Sequence, residues 1–175
     1  MNNKIIWLLI FIVFILEGTL IHWLIPTDWY NGLQVAPHFV LVLVLFVSMN
    51  RNRHLGLFFG LMFGLMHDIV YASPMIGPHS FSMGLAAYSA GVIAKRLKVT
   101  MISSLFMISF FIVIYDVANF SLYSMFRVID IPFGTTFTDF IMPTLLFNLL
   151  FAVIIYVPAR RWLESNHAQR EEESL

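Results

Sequence analysis

The chain has 175 residues, of which 59% are hydrophobic and 11% are charged, and its mean hydropathy is +0.83. Too few polar side chains remain to cover a soluble domain, so we expect a polytopic membrane protein. Ten basic residues balance ten acidic ones, which offers nucleic acid no electrostatic attraction, and the lack of cysteine excludes disulfides, zinc-thiolate sites and a cysteine nucleophile. We expect no bound cofactor or metal.

Six hydrophobic segments follow one another, and each is long enough or nearly long enough to be one membrane-spanning helix. They cover residues 5–25, 35–49, 55–71, 81–94, 100–126 and 137–157. Prolines punctuate the ends, with Pro26 after the first segment and Pro158 after the sixth. The predicted fold is an all-α bundle of six transmembrane helices over residues 1–158, followed by a polar cytoplasmic tail over 159–175, whose deletion should do little.

Basic residues divide unequally between the two sides that six crossings would create. One side has only Arg127, whereas the other collects Lys4, Arg51, Arg53, Lys95, Arg96, Lys98, Arg160, Arg161 and Arg170. Because Lys and Arg favour the cytoplasmic side, both termini are predicted to be cytoplasmic. A reading with five or seven spans would break this separation. The same residues would meet anionic lipid headgroups, or a cytoplasmic protein partner.

Glycines recur every four residues in the third segment, at Gly56, Gly60 and Gly64, and the next step of four reaches Asp68. This spacing places them along one helix face, where the missing side chains let a second helix approach closely. The fourth segment carries Gly84 and Gly91. These glycines serve either packing within the bundle or docking of a partner, and the sequence leaves both readings open.

Three acids lie within the apolar segments, at about 18, 20 and 24 Å along their helices from the cytoplasmic end. All three positions fall in the outer half of a bilayer, where a carboxylate must face protein or water. We hypothesise that they converge with neighbouring polar residues into one cluster, which either holds the bundle together or lines an outward cavity. Its members are Glu17, His22, His67, Asp68, His79, Asp116 and Asn119.

Catalytic motifs are not found in the sequence: it has no His-Glu-x-x-His, no Gly-x-Ser-x-Gly and no phosphate-binding glycine loop with lysine. His67 and Asp68 are not a catalytic pair, because adjacent helical residues point about 100° apart. We expect no enzymatic activity.

A pattern between residues 36 and 97 resembles a known family. Pro37 opens the second helix, a basic turn follows at residues 51–53, and the glycine run ends in Asp68. A proline- and glycine-containing turn over residues 73–77 then leads to a small-residue helix through Gly91. This order resembles the MreD family of rod shape-determining proteins, as do the length and the number of spans. His38 stands where that family usually has Asp.

The resemblance implies a non-enzymatic component of the bacterial cytoplasmic membrane that belongs to the cell-elongation (rod) complex. It would maintain rod shape by binding the single-span protein MreC and supporting lateral peptidoglycan synthesis. Further implied partners are MreB, RodA, a class B penicillin-binding protein and membrane lipid, and a homo-oligomer stays open. The helix of MreC would dock on the bulky first helix or on the glycine-lined third helix.

The resemblance also implies a fold similar to the vitamin-binding subunits of energy-coupling-factor transporters, and with it a cavity near the outer face. Such a subunit is the alternative function. That class usually presents an alanine-x-x-x-alanine face on its first helix for docking its coupling partner. Residues 5–14 read IIWLLIFIVF, which is bulky throughout and lacks this face.

Overall fold

The computed structural model describes residues 3–24, 35–97 and 100–156, with side chains over residues 4–19, 35–97 and 100–156. Within these ranges the chain is all-helical and contains no strand. The six helices are α1 (Asn3–Leu24), α2 (Phe39–Asn50), α3 (Arg53–Val70), α4 (Pro78–Ala94), α5 (Met101–Met125) and α6 (Phe133–Tyr156). The predicted polar tail lies outside the described residues.

The all-α prediction is confirmed, with one helix for each predicted segment. The largest differences are at the starts of α2 and α6, at Phe39 rather than residue 35 and at Phe133 rather than residue 137. Among the described residues, α5 and α6 are long and apolar enough to cross a membrane by length and composition. Six crossings therefore stay a prediction.

Local signals place the helix starts. The Asn52 side chain accepts a hydrogen bond from the backbone N–H of His54 at 3.0 Å and begins α3, and Thr100 caps α5 in the same way. Pro78 occupies the first turn of α4, where its missing N–H costs nothing. Gly77 precedes it with φ +119°, a conformation that side-chain-bearing residues rarely adopt.

Helix α2 is the centre of the bundle and contacts α1, α3, α4 and α5. Every residue of α2 is buried except Val47 and Asn50, which are half-buried. A helix that is apolar all round is expected to be enclosed by others. Its valines and leucines form the middle of the hydrophobic core.

The glycines of α3 mark where neighbouring helices touch it. A Cβ added at Gly60 would lie 2.9 Å from the Cα of Gly84, and one at Gly64 would lie 2.5 Å from the Cα of Ser80, both on α4. Cβ atoms added at Gly56 and at Gly91 would both collide with Ser48 of α2. The hydroxyl of Ser48 donates to the carbonyl of Ala87, so α2, α3 and α4 converge around this serine.

Helix α6 is continuous but contains a π-helical stretch over Phe137–Ile141. One extra residue in that turn displaces the flanking side chains from regular α-helical spacing. Such bulges are frequent at functional sites, and Phe140 within this one faces the cavity described below.

Candidate functional site

Glu17 of α1 reaches the start of α2. Its Oε2 accepts a hydrogen bond from the backbone N–H of Val40 at 2.9 Å, and its Oε1 lies 3.2 Å from Nε2 of His67. The histidine contact is close but poorly aligned for hydrogen bonding. Glu17 is only 1% exposed, so its carboxyl group meets a helix N-terminus and an imidazole rather than water.

Asp68 of α3 accepts hydrogen bonds from backbone N–H groups at the start of α4, as Glu17 does at the start of α2. Its Oδ2 accepts from the N–H groups of Gly77 at 2.9 Å and Ser80 at 3.3 Å, and its Oδ1 accepts from that of His79 at 3.3 Å. The first turn of a helix has four N–H groups with no partner inside the helix. In α4 the carboxylate accepts from two of them, those of His79 and Ser80, and from the N–H of the capping Gly77, and it complements the positive end of the helix dipole.

Asp116 of α5 pairs with the histidine before α2. Nε2 of His38 lies 3.0 Å from Oδ1 of Asp116, and both side chains are buried. The backbone N–H of His38 donates to Oδ1 of Asn148 at 2.7 Å, and the Asn148 amide in turn donates to the carbonyl of Ala36 at 2.9 Å. The entry to α2 is therefore held by α1, α5 and α6 together.

His79 connects these groups. Its Nδ1 lies 2.6 Å from the hydroxyl of Tyr115 and 3.5 Å from Nδ2 of Asn119. Its ring centroid is 6.0 Å from that of His67, and the Tyr115 ring is 5.0 Å from that of His38. A continuous path of polar and aromatic contacts thus runs from the Glu17 pair on α1 to the Asp116 pair on α5.

Beside this path lies a partly open cavity of about 360 Å³. Its walls come from the start of α2, the α3–α4 connection, α5, the α5–α6 connection and the first turns of α6. The polar lining includes His38, His79, Asp116 and Asn119. By the distribution of basic residues, this is the end of the bundle predicted to face outward.

Of the predicted cluster, Glu17 meets His67, Asp68 meets the backbone of His79, and Asn119 and Asp116 line the cavity. The side chain of His22 lies outside the described residues. Within the described part of the chain, no three His, Asp or Glu residues form a group that could hold a metal ion.

Sequence reasoning missed several participants. His38 was noted only as a departure from a family pattern, and Tyr115 and Asn148 were overlooked, although each is a polar group within an apolar run. Gly18 was also missed: a Cβ there would lie 2.5 Å from the hydroxyl of Tyr71, which donates to the carbonyl of Phe14 at 3.0 Å. A lone glycine and a lone tyrosine carry no signal that they meet.

Comparison with known families gives one decisive match. The family model for rod shape-determining protein MreD matches residues 1–165 of the 175. The chain belongs to the MreD family. Neither the comparison with curated proteins nor that with solved structures gives a match. MreD is a membrane component that determines rod shape as part of the rod complex, so cell shape and a membrane location follow for this chain. The vitamin-transporter alternative is not supported.

Proposed function

We propose that this MreD-family protein is a non-enzymatic scaffold that crosses the bacterial cytoplasmic membrane six times with both termini in the cytoplasm. In this role it binds the membrane helix of MreC and thereby supports lateral peptidoglycan synthesis by the rod complex. The family assignment supports the rod-shape role, and the partners MreB, RodA and a class B penicillin-binding protein belong to the proposal.

One observation favours α1 as the surface that receives MreC. Of the two surfaces considered from the sequence, the glycine face of α3 is already in contact with α2 and α4 of the same chain. No described residue covers the face of α1 opposite the bundle. It carries large apolar side chains that are 48–53% exposed: Ile5, Leu8, Ile12, Ile15 and Leu16.

The buried face of α1 explains why the opposite face is available. Ile6, Ile10, Phe14 and Glu17 repeat at helical spacing and are all buried, so a single stripe anchors α1 to the rest of the bundle. The remaining circumference is free to meet lipid or another helix. Between transmembrane helices, close van der Waals packing provides the main attraction, which this apolar face can supply.

Disulfide crosslinking tests this surface directly, because the chain has no native cysteine. Leu8→Cys and Ile12→Cys should each form a disulfide with cysteines placed in the membrane helix of MreC when native membranes are oxidised. Leu146→Cys and Leu150→Cys on α6 are matched controls, since those leucines are 69% and 61% exposed. Products from α6 but not from α1 would contradict the assignment.

The shape role has its own test. Depletion of the protein in a rod-shaped host should make cells wide and round, and wild-type protein should restore their width. If width is unchanged after depletion and no second copy exists, the proposed function is wrong. This result is independent of which helix MreC contacts.

A further inference from the structure

Five aromatic residues and one buried acid, Asp116, are among the residues that line the cavity. Tyr71, Tyr115, Phe120, Tyr123 and Phe140 all line it, and they come from three different parts of the fold. The negative face of an aromatic ring attracts cations, and several rings around one space form a cage that recognises organic ammonium groups. The cage is not visible in the sequence, where these residues are spread over seventy positions.

Two oxygens at this wall have no hydrogen-bond donor. Asp116 is 4% exposed and Asn119 is 6% exposed, and both line the cavity. Oδ2 of Asp116 and Oδ1 of Asn119 are buried and accept no hydrogen bond from the described residues. Each oxygen has almost no exposed surface, so a small side-chain rotation must turn it toward the cavity. A buried acceptor left unsatisfied costs about 1–3 kcal/mol, which a ligand N–H donor would then offset.

The charge of the lining points to the same kind of ligand. Of the described residues that line the cavity, none is Lys or Arg, and Asp116 is the one carboxylate. His38 contacts Oδ1 of Asp116, while His79 contacts the hydroxyl of Tyr115. Outside the lining, Glu17 contacts His67 and Asp68 accepts from the backbone N–H of His79. A cation is therefore the complementary ligand, and an anion is not.

We propose that this cavity binds a primary ammonium group carried by an aminophospholipid, with Asp116 and Asn119 accepting its N–H donors and the aromatic rings surrounding it. Phe120, Ile129 and Phe140 add apolar side chains to the lining, which suits a headgroup attached to acyl chains rather than a free ion. The volume of about 360 Å³ falls in the range of small-ligand pockets. This binding is separate from the proposed contact between α1 and MreC.

The purified full-length protein can be tested with three lipids that share the same acyl chains. Phosphatidylethanolamine supplies an ammonium with N–H donors, phosphatidylcholine a cation without them, and phosphatidylglycerol no cation. Native mass spectrometry should show phosphatidylethanolamine binding at least about tenfold more tightly than either of the others, because hydrogen bonds to a charged group are the strong ones. Equal binding of the three lipids would overturn the proposal.

Two variants test whether the lipid binds in this cavity. Asp116→Asn keeps the side-chain volume but removes the charge, and it should abolish the preference for phosphatidylethanolamine. Asp130→Asn is the matched control, since Asp130 is exposed in the α5–α6 connection and does not line the cavity. It should leave the preference unchanged. Preference retained by Asp116→Asn would overturn the site.

A further variant keeps the proposal testable if Asp116→Asn does not fold. Thr136→Trp fills the cavity from its half-buried α6 wall and leaves both residues of the His38–Asp116 pair in place, and it should also abolish binding. Competition by free ethanolamine tests whether the ammonium group must be attached to a lipid. It should compete at least about tenfold more weakly than the lipid, because it makes no apolar contact. Competition as strong as that of the lipid would overturn the lipid assignment.

Discussion

Oδ2 of Asp68 on α3 accepts a hydrogen bond at 2.9 Å from the N–H of Gly77, the residue that caps α4. Glu17 on α1 makes the equivalent contact with Val40 in the first turn of α2. Two buried acids therefore each stabilise the N-terminus of a neighbouring helix. These are the helices predicted from the two shortest hydrophobic segments, residues 35–49 and 81–94. The Glu17 carboxylate accepts from one N–H at the start of α2, and the Asp68 carboxylate accepts from three at the start of α4.

Asp68→Asn should be tolerated, and Asp68→Leu should not. Asparagine keeps one carbonyl acceptor at the start of α4, so we expect a loss of at most about 1 kcal/mol in the free energy of unfolding. Leucine leaves the N–H groups of Gly77, His79 and Ser80 without this acceptor, which should cost about 1–3 kcal/mol or more. Thermal unfolding of the purified variants measures the difference.

Rescue of cell width after depletion separates this structural role from a direct one in shape. At matched membrane abundance, Asp68→Asn should restore width as wild type does, with Asp130→Asn as the exposed acid control. A stable, abundant Asp68→Asn protein that fails to restore rods would show that the carboxylate does more than cap α4.

Gly64→Ala should destabilise the protein although alanine is the better helix former. The new Cβ would lie 2.5 Å from the Cα of Ser80, and backbone cannot move aside as a flexible side chain can. Overpacking of this kind costs about 1–3 kcal/mol. Gly134→Ala is the matched control, because no atom lies within 4 Å of its added Cβ. Similar melting temperatures for the two variants would show that α3 and α4 do not pack this closely.

Glu17 and His67 should behave as one energetic unit. Glu17→Gln removes the charge, and His67→Phe removes the imidazole while keeping a ring against Phe14, whose centroid is 5.2 Å away. The unfolding free energies of the two single variants and the double variant should differ from additivity by about 0.5–3 kcal/mol. Strict additivity would mean that the 3.2 Å contact carries no stability.

Membrane topology can be read from two introduced cysteines. Leu97 lies in the α4–α5 connection and is 49% exposed, and Asp130 is exposed in the α5–α6 connection. Because basic residues favour the cytoplasmic side, an impermeant maleimide should label Asp130→Cys on intact spheroplasts and Leu97→Cys only after lysis. Labelling of both on intact spheroplasts would refute the six-span arrangement.

The sequence predicted the helices well because hydrophobic runs, prolines and caps are local signals. Asn52 and Thr100 begin α3 and α5 through their own side chains, and Pro78 begins α4. The starts of α2 and α6 were less well predicted. At α2 the capping groups, Glu17 and Asn148, come from distant parts of the chain, and no local pattern records them.

The three acids of the candidate site were named from the sequence, but the groups that they contact were not. A carboxylate in an apolar run stands out, so Glu17, Asp68 and Asp116 were found from the sequence alone. Which group each one meets depends on helix rotation and crossing, which hydrophobicity does not encode in a chain that is apolar on most faces. The pairing of Asp116 with His38 across 78 residues is one such contact.

The close packing of α2, α3 and α4 around Ser48 leads to an expectation about transport through this protein. Around Ser48, α2, α3 and α4 touch with no space even for a methyl group on Gly56 or Gly91. Every α2 residue between Ser48 and the cavity is buried except Val47, which is half-buried. Among the described residues, α2, α3 and α4 are therefore in close contact at the end of α2 away from the cavity. We therefore expect reconstituted vesicles to show no conductance and no solute flux attributable to this chain.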